Sequence, residues 1–385
     1  MKKTVILRGP ALSQSGYGVH CRQVAKWLLG RSDIDAKFHV LPWGDTPWFV
    51  NPESLNGLVG QIMQRTVDGN YKADVSLQLQ LPNEWDPRIA KYNIGMTAGV
   101  ETDKCNPAWL NAINSMNKVV VPSKHVMECF KNTGVYSTKV EVIPESYIEE
   151  INSPVNAQLP NFSTDFNFLI FGQVTGNSPY NDRKNTFFTL KWLCDVFKND
   201  KNVGIVIKTN TGRHTKFDRK IVTSMLSGLL KECRKGMYPR VHLLHGDMND
   251  SEVAALYRHP QIKALVAATR GEGFGLPILE AAASGMPVIA TGWSGHMDFL
   301  NHGKFINLQY NLSEVHPSRV DNKIFVKGSK WAEPIEEDFK RKVAKFKESS
   351  SIPREWAADL ATKIRHEYSF ETISKQYDQL MKDVI

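Results

Sequence analysis

The apolar positions change their spacing repeatedly along the chain. Short runs with little polar interruption, at Val5–Leu7, Phe38–Leu41, Val75–Leu79, Ala90–Met96 and Lys118–Val121, read as strands. Between them the pattern turns helical. It does so after the glycine- and serine-rich GPALSQSGYGVH as far as Leu29, over Pro107–Met116, and over 124–132, where Ser123 is placed to cap. Ile151–Thr164, INSPVNAQLPNFST, is rich in Pro, Asn and Ser and reads as a linker. A second series follows. Its strands are Phe168–Phe171, Val203–Lys208, Val241–Leu244, Ala264–Ala267 and Val288–Ala290, and its helices are 185–198, 251–258 and 277–284. Strands alternating with helices predict parallel sheets covered on both faces. The economical architecture is α/β, with two Rossmann-like domains facing across a cleft, at 1–160 and 161–369.

A chain of 385 residues is long for one core and suits two. No run of about 18 apolar residues occurs, so no membrane-spanning helix is expected. The opening MKKTVILRGP is interrupted by Arg8, Gly9 and Pro10, and reads as a first strand, not a signal peptide. The five cysteines are scattered, odd in number and without a C-x-x-C pair. That argues for a reducing, cytoplasmic compartment and against a disulfide or zinc scaffold. The net charge of +8 is concentrated: residues 161–240 hold 14 Lys+Arg against 6 Asp+Glu, centred on KTNTGRHTKFDRK (208–220). Such a patch suits a nucleotide, a nucleic acid or an anionic membrane surface, and equally a solvated loop and helix face.

The densest chemistry lies in RGEGFGLPILEAAASGMPVIATGWSGHMDFL, residues 270–300. Glu272 and Glu280 stand eight apart around a Gly-Phe-Gly turn, with Pro277 at the start of a predicted helix. A turn entering a helix presents unpaired N–H groups, which favour an anion. A carboxylate in the first helical turn can accept hydrogen bonds from a diol such as a ribose. Pyrophosphate, ribose and a second acidic group together suggest a sugar nucleotide. His242 and His245 flank a strand end without a third ligand at metal spacing, so no metal is expected. His20 and His125 read as structural.

RGEGFGLPILEA matches, without a gap, the E-x7-E signature of retaining GT-B glycosyltransferases, and the chain resembles glycosyltransferase family 4. VVVPSKHVMECFKNTGV and VEVIPE resemble the end of that family's N-terminal domain. FLIFG, DRKNT and VGIVIKT resemble the start of its donor domain, and GSKWAEP a later part of it. The resemblance implies an acceptor-binding domain at 1–160, a donor-binding domain at 161–369, and a C-terminal helix at about 370–385 crossing back onto the first. It implies that Glu280 accepts the ribose hydroxyls of a nucleotide sugar, most often a UDP-sugar, which is a co-substrate and not a cofactor. Glu272 would contact the transferred sugar and support positive charge at its anomeric carbon. Phe274, Gly275 and Leu276 would offer N–H groups, with Gly273 and Gly275 allowing close approach. Arg183, Lys184 and Lys208 would hold the diphosphate, giving electrostatic catalysis without a metal.

Some positions depart from the family. Gln173 stands where an arginine often follows the strand glycine, so either Arg183 replaces it or one cation fewer remains. The stretch YNIGMTAGVETD lacks the N-terminal-domain histidine of many relatives. Glu101 is the nearest polar candidate there, ahead of Thr97 and Asp103. In the Ser15–Gly18 loop, Gly16 and Gly18 would let backbone N–H groups reach a phosphate or the acceptor. Asp33-Ile34-Asp35 spells the metal motif of the other major glycosyltransferase fold, but lies between a helix and an early strand and reads as chance. LRGPALSQSGYGVHCRQ resembles large-phage relatives. The acceptor would then be hydroxymethylated cytosine in DNA, contacted through the 161–240 patch in a host cytoplasm. The alternatives are transfer to a lipopolysaccharide or surface polysaccharide, with the patch against anionic lipid, a non-catalytic nucleotide-sugar-binding module, or a phosphorylase or epimerase on the same fold.

Overall fold

In both halves of the chain the nearly continuous apolar runs become strands of one parallel sheet, as expected for strands buried on both faces. The computed structural model describes residues 2–172, 178–209, 212–382 and 384. It divides into two units, Met1–Ser146 with Phe370–Ile385, and Tyr147–Ser369.

The first unit runs β1 (Lys3–Gly9), α1 (Gly16–Leu29), β2 (Ile34–Val40), α2 (Leu58–Gln64), β3 (Ala73–Leu79), β4 (Ala90–Met96), α3 (Ala108–Asn114), β5 (Lys118–Val121), α4 (Lys124–Thr133) and β6 (Val140–Val142). Its sheet order is β2-β1-β3-β4-β5-β6, all parallel. Ser123 caps α4 by accepting from the Val126 N–H at 3.3 Å, as its position predicts. The glycine-rich stretch departs from expectation. α1 already starts at Gly16, so Gly16 and Gly18 lie in a helical turn capped by Ser15 and not in a loop.

The second unit runs β7 (Phe166–Phe171), α5 (Thr186–Val196), β8 (Val203–Thr209), α6 (Lys216–Cys233), β9 (Arg240–His245), α7 (Asp250–Tyr257), β10 (Ile262–Ala267), α8 (Leu276–Ser284), β11 (Val288–Thr291), α9 (Met297–Leu300) and β12 (Ile306–Leu308). A hairpin of β13 (Tyr310–Glu314) and β14 (Lys330–Pro334) follows, then α10 (Glu336–Glu348) and α11 (Ser351–Glu367). The sheet order is β12-β11-β10-β7-β8-β9, again parallel. Residues 147–160, expected in the first domain, pack here instead. Tyr147 and Ile151 are buried in this unit's core, and the Arg258 guanidinium donates to the carbonyls of Glu150 and Ser153 at 3.1 and 2.5 Å.

The chain then returns to the first unit as α12 (Phe370–Met381). Its Ile373, Tyr377, Leu380 and Met381 join the core that holds Val24, Trp27 and Leu28 of α1. The Trp27 indole donates to Asp378 at 2.9 Å, and His20 Nε2 lies 3.1 Å from the Tyr377 hydroxyl. Burial lowers the His20 pKa to about 3, so the imidazole is a neutral structural group.

Candidate functional site

In an open parallel sheet, ligands bind outside the carboxyl ends of the strands where the strand order reverses. In the second unit β7 is followed by β8 on one side and by β10 on the other, so the reversal lies between β7 and β10. The segments after these two strands carry Arg183 with Lys184, and Arg270 to Gly275. Lys208 stands near the carboxyl end of β8, in register with Phe171 of β7. The sheet topology thus brings together residues that are far apart in sequence.

Glu272 is buried, and both its oxygens are engaged. Lys184 Nζ lies 2.7 Å from one and Arg183 Nη1 3.1 Å from the other. Burial alone would raise this carboxyl, but the two cations outweigh it and hold the pKa at about 2. Glu272 is therefore charged and serves to fix two cations. The same Arg183 nitrogen donates to the Gly271 carbonyl at 2.7 Å. Gln173, the departure that put the cation count in question, lies outside the described residues.

Glu280 is the fifth residue of α8, past the first turn in which it was expected. It is buried, and its described polar neighbour is the Tyr257 hydroxyl, which donates at 3.1 Å. Among the described residues no cation pairs with it. Burial therefore raises its pKa to about 8. Tyr257 stacks on Phe171 with ring centroids 5.5 Å apart. Phe171 in turn lines a cavity of about 30 Å³ with Lys184, Glu272, Gly275 and Pro277. Lys208 is buried, donates to the Gly246 carbonyl at 2.5 Å, and has its pKa lowered to about 8 by burial.

The turn between the glutamates supplies donors. Gly275 has φ of 100°, a left-handed conformation that favours glycine. Leu276 opens α8, so helix geometry leaves its N–H without an intrahelical acceptor, and Pro277 at the second position has no N–H to satisfy. The Phe274 ring packs on Phe299 in the core. Gly273 joins this turn as the residue after Glu272.

Sequence reasoning missed what holds the turn in place. The Glu272 N–H donates to the Ser294 hydroxyl at 2.9 Å, and the Gly295 N–H donates to the Glu272 carbonyl at 2.9 Å. Any Cβ on Gly295 would stand 2.1 Å from the Gly273 carbonyl oxygen. His296 is fully buried and bonded through Nε2 to the Thr291 carbonyl at 2.6 Å. Arg270 is also buried. It donates to the carbonyls of Pro179 and Asp182 at 2.8 and 2.7 Å, pairs with Glu333 at 2.7 Å, and lies 5.3 Å from the Trp331 ring. The KWAEP strand β14 thereby braces the loop that presents Arg183 and Lys184. The only sequence signal was that both segments had been singled out separately.

In the first unit the order reverses between β1 and β3. The Gly18 N–H is taken by the Ser15 hydroxyl at 3.1 Å, and a Cβ there would stand 2.0 Å from the Ser13 carbonyl oxygen. Gly18 is thus a packing glycine whose N–H is not available to a phosphate. A Cβ on Gly16 would meet nothing within 4 Å. Glu101 is half-buried after β4. Burial, and the nearby Glu101 carboxylate, raise the Tyr17 phenol above its ordinary value. The Tyr17 hydroxyl bonds Thr97 at 3.0 Å, and the Asp103 carbonyl accepts from Asn132. The remaining candidates are structural. Asp33 pairs with Arg31 and Asp35 with Lys37, while His242 bonds Thr164 and packs on Phe162.

Residues 225–316 match the family model described as Glycosyl transferases group 1. The match covers about a quarter of the chain. It contains both glutamates, the turn between them and Ser294–His296. No curated protein matches the chain. Among solved structures, sucrose-phosphate synthase from Thermosynechococcus elongatus superposes with a TM-score of 0.65 at 13% identity, covering 100% of this chain and 99% of that one. Anabaena Alr3699/HepE in complex with UDP-glucose gives 0.60 at 13% identity, covering 99% and 100%. The pneumococcal O-GlcNAc transferase GtfA in complex with UDP and GlcNAc gives 0.60 at 10% identity, covering 100% and 99%. The matched segment is thus set in an α/β chain of the GT-B fold.

Proposed function

We propose that the chain is a metal-independent, retaining glycosyltransferase that uses a nucleoside diphosphate sugar, with UDP as the nucleotide. The second unit binds the donor and the first unit the acceptor. The observation that carries the reading is the division between the two buried glutamates at the reversal of the second sheet. Glu272 is ionised and holds two cations, while Glu280 is protonated near neutral pH and, among the described residues, pairs with no cation. A diphosphate suits Arg183, Lys184, Lys208 and the N–H groups of the Phe274–Leu276 turn. A ribose diol suits Glu280, because hydroxyl donors stabilise its carboxylate form. UDP in the complexes of Alr3699/HepE and GtfA supports the choice of nucleotide.

In this reading Glu272 acts through Arg183 and Lys184 and orients them on the leaving group. The bond from the anomeric carbon to the diphosphate oxygen breaks as the bond to the acceptor oxygen forms on the same face. The acceptor proton passes to the leaving diphosphate. Lys208 becomes fully charged against that diphosphate. Glu101 and Thr97 are the acceptor-side candidates. The basic 161–240 region fits phosphates of DNA or of a membrane. The apolar residues exposed within it, described below, favour a membrane-borne glycan acceptor over hydroxymethylated cytosine in phage DNA. Five buried, free cysteines agree with work in a reducing cytoplasm.

A panel of nucleotide sugars, read by release of nucleoside diphosphate, tests the reading. One UDP-sugar is turned over, with retained anomeric configuration, and Glu280→Ala slows release by at least about tenfold, as for a lost charged contact. Binding without release would indicate a non-catalytic module. Release within about threefold of wild type in Glu280→Ala would remove Glu280 from the donor site.

A further inference from the structure

α6 carries two apolar faces. Val222 and Cys233 are buried, with Leu226 and Leu230 packed beside them, and they form one face at i, i+4, i+8 and i+11. Phe217, Ile221 and Met225 repeat at i, i+4 and i+8 on another face, and are 70%, 44% and 42% exposed. At about 100° per residue, Lys220 and Lys231 fall along one edge of this outer stripe, with Lys216 in the turn before. Among the described residues Lys216, Lys220 and Lys231 pair with no carboxylate. Asp218 is tied into the helix cap by the Thr215 N–H and hydroxyl at 2.9 and 2.7 Å. Over Phe217–Met225 the outer face of α6 is therefore apolar with one cationic edge, and the exposed Glu232 follows on the same line at the C-terminal end of the helix.

We propose that this outer face of α6 docks on an anionic phospholipid surface, with Phe217, Ile221 and Met225 entering the headgroup–acyl boundary and the lysines meeting lipid phosphates. Nucleic acid matches the lysines but leaves the three apolar side chains without a partner, since a phosphate backbone is bound by cations and polar donors. An antiparallel two-fold contact with a second copy would bring the lysine borders of the two helices together. A bilayer satisfies both features. Among the described residues no helix is long and apolar enough to cross a membrane, so attachment through α6 lies in the interface plane.

The test is co-sedimentation of the full chain with vesicles of phosphatidylcholine alone, or containing about 30 mol% phosphatidylglycerol. Anionic vesicles should bind at least about tenfold more protein than neutral ones. The double variant Phe217→Ser with Ile221→Ser should lower that binding at least about tenfold with an unchanged melting temperature. Lys220→Gln with Lys231→Gln should lower it and flatten its salt dependence. Val135→Ser, at an exposed apolar site of the first unit, should leave it unchanged. Equal vesicle binding by the Phe217/Ile221 variant would overturn the proposal. So would duplex DNA binding without vesicle binding, or a dimer that the same variant dissociates without any vesicle binding in wild type. None of these readings depends on sugar transfer, so failure here is distinct from failure of the proposed reaction.

Discussion

Replacing Glu280 by Gln removes a group whose ionisation the fold opposes. Burial holds its pKa at about 8, against 4.5 for an ordinary glutamate. Between these values the folded protein keeps a proton that the unfolded chain has released. A raised pKa of this kind costs nothing below pH 4.5, and the cost grows as pH rises towards 8. The interval of about 3.5 pH units corresponds to a ceiling of about 5 kcal/mol. Gln keeps the shape and an oxygen to accept from Tyr257, and does not titrate. Wild type and Glu280→Gln should therefore have similar stability near about pH 5, with the variant gaining by several kcal/mol towards about pH 9. Urea unfolding at the two pH values, followed by near-ultraviolet circular dichroism, reads this difference. A stability gap that is the same at both pH values would mean that Glu280 is solvated or paired with a cation.

Glu272→Gln should behave oppositely. Its depressed pKa of about 2 contributes stability above pH 4.5 that is lost as pH falls towards 2, with a ceiling of about 3 kcal/mol, so acid unfolding curves of wild type and variant should converge at low pH. Gly295→Ala forces a Cβ against the Gly273 carbonyl at 2.1 Å, where backbone must move; we expect a melting temperature several degrees lower and donor turnover reduced at least about tenfold. Arg270→Met strips the carbonyls of Pro179 and Asp182 of their donor and leaves Glu333 without its cation, held by the Trp331 indole N–H, costing about 3–5 kcal/mol in chemical denaturation.

The strands were legible because each is a short apolar run buried on both faces, and VGIVIKT shows why Lys208 also stood out: a cation ending an otherwise apolar strand has few structural reasons to be there. The E-x7-E spacing located both glutamates but not their states. Those states depend on Arg183 and Lys184, about ninety residues upstream, and on Tyr257, and the three meet only through the strand order β10-β7-β8. Arg270 was illegible for the same reason, since its partners come from the 179–182 loop and from β14. α6 was read only as charge. Its two apolar faces together blur the single stripe by which an amphipathic helix is recognised. Gly18 misled because a glycine in a Ser-Gly-Tyr-Gly stretch looks the same whether it serves a ligand or the Ser13 backbone.

In the proposed reaction, α8 and the turn before it anchor a nucleoside diphosphate. Calorimetric titration of UDP into wild type and Glu280→Ala at constant ionic strength measures this anchoring. We expect saturable 1:1 binding to wild type, proton release on binding near neutral pH, and affinity lower by at least about tenfold in the variant. Equal affinity in the two proteins, or binding without proton release, would place the nucleoside diphosphate away from Glu280.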